Sequence, residues 1–133
     1  DAMTRVGAFH DMAVCPLLDA KMGEVFGAVY RFTGFEREKQ TGDRVLPIGK
    51  MLDLAPDDTV FFGDGADLYR DAILAARPNA TILGGGFRSP RASAVCYEAE
   101  ELLARGCATS AAAVAPEYLR MSQPEVLRAK DAP

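Results

Sequence analysis

A chain of 133 residues with a net charge of −4 has the length of one domain and enough chain to bury a real core. Nearly half of its residues are apolar and about a quarter are charged, which excludes a disordered or fibrous protein. No apolar run approaches the roughly 20 residues that cross a bilayer, and Asp1 to His10 lacks the basic-then-apolar layout of a signal peptide, so a cytoplasmic protein with no membrane partner is expected. The 15 basic residues are interleaved with 19 acidic ones. A domain that holds nucleic acid by itself carries a basic stripe, so direct nucleic-acid binding is not expected either.

Asp1 to Ala8 reads as the tail of a helix, with only Met3 and Val6 supplying an apolar face, and residues 1–12 are taken as that helix end plus a linker. Ala13 to Leu18 is a short apolar run of strand length, and Pro16 inside it predicts an edge strand or a bulge. Glu24 to Phe32 alternates, with Phe26, Ala28, Tyr30 and Phe32 on one face and Val25, Gly27, Val29 and Arg31 on the other, which predicts a strand. Thr33-Gly34 fits a tight turn, and Phe35 to Leu46 a returning strand that Thr41-Gly42-Asp43 interrupts.

Pro47 opens a short helix carrying Ile48, Met51, Leu52 and Ala55 at helical spacing, closed by Pro56-Asp57-Asp58. Thr59 to Phe62 is a compact strand ending at Gly63-Asp64-Gly65. A second helix is predicted from near Ala66, with Tyr69, Ala72, Ile73 and Ala76 on its inner face, stopped by Pro78. Ala80 to Leu83 is another strand, followed by Gly84-Gly85-Gly86. For the last helix, Ser89 fits the N-cap, Pro90 the first position and Gly106 the stop. Val95, Ala99, Leu102 and Leu103 line its predicted inner face, with Glu98, Glu101 and Arg105 outward. Ala108 to Ala115 reads as a linker, Ala115 to Ser122 as a short extended piece, and 123–133 as a solvated tail. A hairpin followed by alternating helices and strands predicts a mixed α/β sheet with helices packed on it.

Few residues present themselves for chemistry. Cys15, Cys96 and Cys107 form no paired spacing and read as buried or half-buried free thiols. The single histidine, His10, leaves a zinc centre hard to assemble, no Gly-x-Ser-x-Gly elbow exists, and Tyr97 and Tyr118 read as half-buried packing residues. The densest polar cluster is Asp19-Ala20-Lys21-Met22-Gly23-Glu24. Asp19 could act there as a base or metal ligand with Lys21 beside it; equally, the segment is a polar turn in which Gly23 supplies a permissive backbone. Gly63-Asp64-Gly65-Ala66 could present backbone N–H groups to a phosphate, or simply connect a strand tightly to a helix. It matches neither the full phosphate-loop pattern nor the dinucleotide fingerprint.

Leu18-Asp19-Ala20-Lys21-Met22-Gly23-Glu24-Val25-Phe26 resembles the Asp-Ala-Arg-x-Gly-Glu-Val-Tyr segment that opens the second subdomain of the TsaB (YeaZ) family. Phe62-Gly63-Asp64-Gly65-Ala66 resembles that family's strand-then-glycine segment, Pro90 to Gly106 its late helix, and Ala115-Pro116-Glu117-Tyr118-Leu119-Arg120 its closing Pro-x-Tyr-Leu-Arg, continued by Ser122-Gln123. The resemblance covers almost the whole chain, in order. It implies a ribonuclease-H-like mixed sheet, half of the actin, Hsc70 and sugar-kinase type of fold, spanning residues 13–122. It implies, further, a non-catalytic scaffold that supports TsaD in threonylcarbamoyladenosine modification of tRNA, with the ATPase TsaE completing the set. Asp19, Lys21, Gly23, Glu24, Pro116, Tyr118 and Arg120 are then the interaction candidates. No catalytic residue, metal or cofactor is expected in this chain, ATP entering only with the full assembly.

Lys21 stands where the family usually has arginine, which keeps the charge but loses the bidentate fork. The family's N-terminal half, which supplies most of the TsaD contact, is missing from this stretch, so self-association as a homodimer through exposed apolar surface is an expected alternative. A nucleotide-binding or ATPase-type domain using Gly63 to Ala66 is the second functional reading. The older glycoprotease-like peptidase label finds no nucleophile or metal set in these residues.

Overall fold

The computed structural model describes residues 1–6 and 9–120; the expected helix end at Gly7-Ala8, the Ser122-Gln123 continuation and the tail 123–133 lie outside the described residues. A 3-10 turn over Ala2–Val6 precedes strand β1, Ala13–Lys21. Then come β2 (Glu24–Gly27), β3 (Tyr30–Thr33), β4 (Glu36–Lys39), β5 (Arg44–Pro47), helix α1 (Ile48–Leu54), β6 (Val60–Phe62), α2 (Asp64–Leu68), α3 (Arg70–Ala76), β7 (Thr81–Leu83) and α4 (Ala92–Ala104). Among the described residues no helix is long and apolar enough to cross a membrane.

β1 organises a mixed seven-stranded sheet. One edge pairs antiparallel with β3 through Ala13 and Val14 and with β2 through Leu17 to Lys21. The other edge pairs parallel with β6, which carries β7 parallel beyond it. β4 and β5 lie outside β3 and β2 respectively. The predicted strand Glu24 to Phe32 is therefore two strands in sequence along the β1 edge, interrupted at Ala28-Val29. The interruption faces the one at Thr41-Gly42-Asp43: the Val29 carbonyl accepts from Gln40 N–H at 2.8 Å, and Val29 N–H donates to Thr41 Oγ1 at 2.9 Å.

Pro16 is not on an edge strand but in the central one, a correction to the sequence reading. Its missing N–H is tolerated because β1 changes antiparallel partner there, between Val14 and Leu17.

The period-two alternation survives as two cores on opposite sides of the sheet. Cys15, Leu17, Val25, Val29 and Phe61 pack with Met51, Leu52 and Ala55 of α1, Ala66 of α2 and Ile73 of α3. Val14, Ala28, Tyr30, Phe32 and Phe62 pack on the other side with Met3 and Phe9. Burial pushes the Cys15 thiol up to about 12, an inert core group.

Three helix expectations are corrected. The second helix starts at Asp64, two residues early, and breaks at Tyr69 into α2 and α3. Ala72 and Ala76 are exposed, and Ile73 alone in α3 is buried. α4 starts at Ala92 rather than after Ser89, with no side-chain cap, because Gly85–Phe87 forms a 3-10 turn whose Arg88 is bound to Asp67. Its predicted stop holds: Gly106 is left-handed at φ +72°, and the N–H groups of Gly106 and Cys107 reach the carbonyls of Leu103 and Leu102, closing a Schellman motif.

The face of α4 is reversed from the expectation. Ala94 is the buried residue, Glu98 turns inward, and Val95, Ala99, Leu102 and Leu103 are exposed. Cys96, Cys107, Tyr97 and Tyr118 are exposed as well, not half-buried. The physical reason is an ion-pair cluster: Glu98 accepts from Arg5 Nε at 3.0 Å and Arg37 Nη2 at 2.9 Å, and Arg5 also pairs with Glu101. Burial of this carboxyl works to raise its pKa, but the hydrogen bonds and charges of Arg37 and Arg5 win and hold it at about 2.

Candidate functional site

The two motif segments at the ends of the chain meet in space, and the glycine turn joins them. β1 and β2 are linked by a two-residue loop, Met22-Gly23, between the paired residues Lys21 and Glu24. Both loop residues have positive φ, +57° and +82°, the requirement of a type I′ hairpin turn. Lys21 before them is left-handed too, at φ +64°, an unfavourable backbone for a residue with a side chain. The register slips between Asp19 and Lys21, so Ala20 forms a bulge.

Asp19 holds this geometry. One carboxylate oxygen accepts from Lys21 N–H at 2.8 Å and the other from Lys21 Nζ at 2.5 Å. The hydrogen bonds from Lys21 hold the Asp19 carboxyl below its usual range, and the Asp19 carboxylate in turn raises the Lys21 ammonium. Only 10% of the Asp19 side chain is exposed, against 82% for Lys21. Both carboxylate oxygens are therefore engaged within the turn itself. Because Met22 is exposed and strained, Met22→Asn, the residue a type I′ turn prefers, is expected to stabilise the chain by about 0.5–1 kcal/mol. A thermal melt would show a rise of about 3 °C.

The turn is fastened from three sides. Asp19 N–H donates to Asp64 Oδ1 at 3.1 Å, which ties it to the first turn of α2. Ile48 N–H donates to the Gly23 carbonyl at 3.3 Å, which ties it to α1. From the C-terminal segment, Arg120 Nη1 donates to the Ala20 carbonyl at 3.2 Å, and its Nη2 lies 3.5 Å from Glu24 Oε2. Glu24 Oε2 is buried and makes no hydrogen bond of ordinary length. Pro116 and Tyr118 sit on the exposed approach to Arg120, Tyr118 at 84% exposure. Asp19, Lys21, Glu24, Asp64 and Arg120 are thus brought together; Tyr118 stays out in solvent.

The glycines of the strand-to-helix turn serve close approach. A Cβ on Gly63 would stand 2.1 Å from the Leu17 carbonyl oxygen, and one on Gly65 would stand 3.0 Å from the Leu17 and Leu18 backbone. Ala66 beside them is fully buried. α2, five residues long, is pressed onto β1, and the Asp64 carboxylate lies in its first turn.

Among the described residues no group of three or more His, Cys, Asp or Glu side chains is placed to hold a metal ion. What the arrangement offers is a rigid hairpin tip, with Lys21 and Met22 displayed to solvent, backed by a network of salt bridges and backbone bonds. Sequence reasoning missed the Arg5–Arg37–Glu98 cluster, since nothing local marks ion pairs whose partners lie 61 and 93 residues apart.

The fold has solved relatives. An uncharacterized protein with similarity to peptidase YeaZ from Pseudomonas aeruginosa matches with a TM-score of 0.64 and 23% identity, over 83% of this chain and 50% of that one. YeaZ from Pseudomonas aeruginosa matches with a TM-score of 0.57 and 21% identity, over 82% of this chain and 50% of that one. The chain thus spans half the length of the solved chains it matches, and at these identities the likeness is one of fold. No protein-family model and no curated protein sequence matches it.

Proposed function

We propose, from that shared half-chain fold, that this chain is the C-terminal subdomain of a TsaB (YeaZ)-like protein and acts as a non-catalytic scaffold. In this reading it supports TsaD, with TsaE, in the threonylcarbamoyladenosine modification of tRNA in the cytoplasm. The observation that carries it is the fold likeness to half of a YeaZ chain, with Arg120 of the closing motif seated on the Asp19 to Glu24 turn of the opening one. Two segments some hundred residues apart that resemble one family's motifs are expected to touch if the family's fold is built.

The sheet supports the ribonuclease-H-like assignment. Its order places an antiparallel meander on one edge of β1 and two parallel strands on the other, with helices on both sides. A scaffold needs a rigid, displayed surface, and the hairpin tip with Lys21 and Met22 supplies one. The nucleotide alternative at Gly63 to Ala66 has less support, because both glycines are filled from behind by Leu17 and Leu18. The carboxylate of Asp64 would also face any incoming phosphate.

The test is co-purification of the cognate TsaD with this chain and with the longer protein that contains it. Capture of TsaD by the longer protein, weakened when Lys21 and Met22 are both changed to Ala, is the expected result. Failure of both to capture it would overturn the scaffold reading.

A further inference from the structure

A cavity of about 360 Å³ opens between the β3–β4 hairpin, the segment leading into β1, and α4, away from the motif cluster. Its size falls among small-ligand sites. Phe9 and Phe32 form a buried floor, with ring centroids 5.5 Å apart. Phe35 from the hairpin turn and Tyr97 from α4 form the rim, 72% and 61% exposed. Arg5 and Arg37 line the remaining wall.

Each guanidinium keeps donors in reserve. Arg37 uses Nη1 on the Asp1 carbonyl and Thr4 Oγ1 and Nη2 on Glu98, which leaves Nε without a partner among the described residues. Arg5 uses Nε and Nη2 on Glu98 and Glu101, which leaves Nη1 without a partner among the described residues. The two arginines and two glutamates cancel in charge, so a multiply charged anion gains little there. The cavity therefore offers aromatic faces and N–H donors, with few acceptors of its own. Its complement is flat, aromatic and equipped with acceptors.

We propose that this cleft is a binding site for a planar aromatic ring that carries ring-nitrogen, carbonyl or carboxylate acceptors. A heterocyclic base and an aryl carboxylate share that chemistry. The ring packs against Phe35 and Tyr97, and its acceptors take the free N–H groups of Arg5 and Arg37.

Adenosine and benzoate, with cyclohexanecarboxylate as the non-planar control, are titrated into the chain labelled at its Phe and Tyr rings, and NMR shifts are followed to about 10 mM, beyond the millimolar range of a weak fragment. Saturable shifts at Phe35 and Tyr97 with a planar probe, absent with the cyclohexyl control, are expected. Saturation by adenosine alone assigns a base, and by benzoate alone an aryl carboxylate. The double variant Phe35→Ala, Tyr97→Ala should bind at least tenfold more weakly with an unchanged thermal melt; if it fails to fold, Phe35→Leu, which keeps the bulk and removes the ring, replaces it. No saturation by either planar probe, equal binding of the cyclohexyl control, or undiminished binding by the folded variant overturns the proposal.

Discussion

Gly63→Ala should destabilise the chain by roughly 2–6 kcal/mol, a large share of its stability. The glycine sits at φ +107°, ψ 170°, a region open to glycine alone, and an added Cβ would meet the Leu17 carbonyl at 2.1 Å. The obstacle is backbone in the central strand, so no side chain can swing aside. Backbone strain of about 1–3 kcal/mol adds to overpacking of similar size, against a total stability of about 5–15 kcal/mol for a domain. Gly49→Ala is the contrast: it lies in α1 with open space around the new Cβ and should stabilise by about 0.5–1 kcal/mol. Circular dichroism melts of the two variants would separate them, and a native-like melt for Gly63→Ala would show the β1–α2 contact to be looser than described.

The second large effect belongs to Glu98. Glu98→Gln removes the charge that two arginines surround, and a partly buried cluster left with unpaired cations is destabilised. The expected loss is about 2 kcal/mol, which is the worth of the pKa depression reduced for the water that still reaches the cluster. The carboxyl is held at about 2 in the folded chain, below its ordinary 4.5. A depressed carboxyl stabilises fully above the unfolded value, so its contribution is complete above about pH 4.5 and disappears as pH falls toward 2. Urea unfolding at pH 7 and at pH 2.5 tests this: the gap between wild type and variant should narrow sharply at the lower pH. A gap independent of pH would mean that Glu98 acts through packing rather than charge.

Much of the fold was legible because it is written in local pattern. The alternation of Val25 and Val29 against Ala28, Tyr30 and Phe32 sorts residues onto the two cores as the period of a strand requires. The Gly106 stop could be placed because a left-handed C-cap needs glycine. The misreadings share a different cause, namely pairing between distant segments. Pro16 looked like an edge because nothing near it reveals that β1 changes partner at that residue. The apolar stripe of α4 suggests an inward face, whereas Arg5 and Arg37, both from the first third of the chain, draw Glu98 in. In the candidate site, Asp19, Lys21 and Glu24 were recognisable as a polar turn. That Arg120 would close on it, and Asp64 bond to it, depended on the tertiary fold.

The double-edged pairing of β1 also sets an order of events during folding. Its antiparallel partners follow within a few residues of chain, and a hairpin of that kind closes in microseconds. The parallel partner of Val14 is Val60, which arrives only after β2 to β5 and α1 have been made. Until then the open flank of β1, apolar and with unpaired backbone groups, is the stretch of chain most exposed to wrong pairing. During synthesis, the emergence of Val60–Phe62, more than that of any helix, is the moment at which this protein becomes safe from its neighbours.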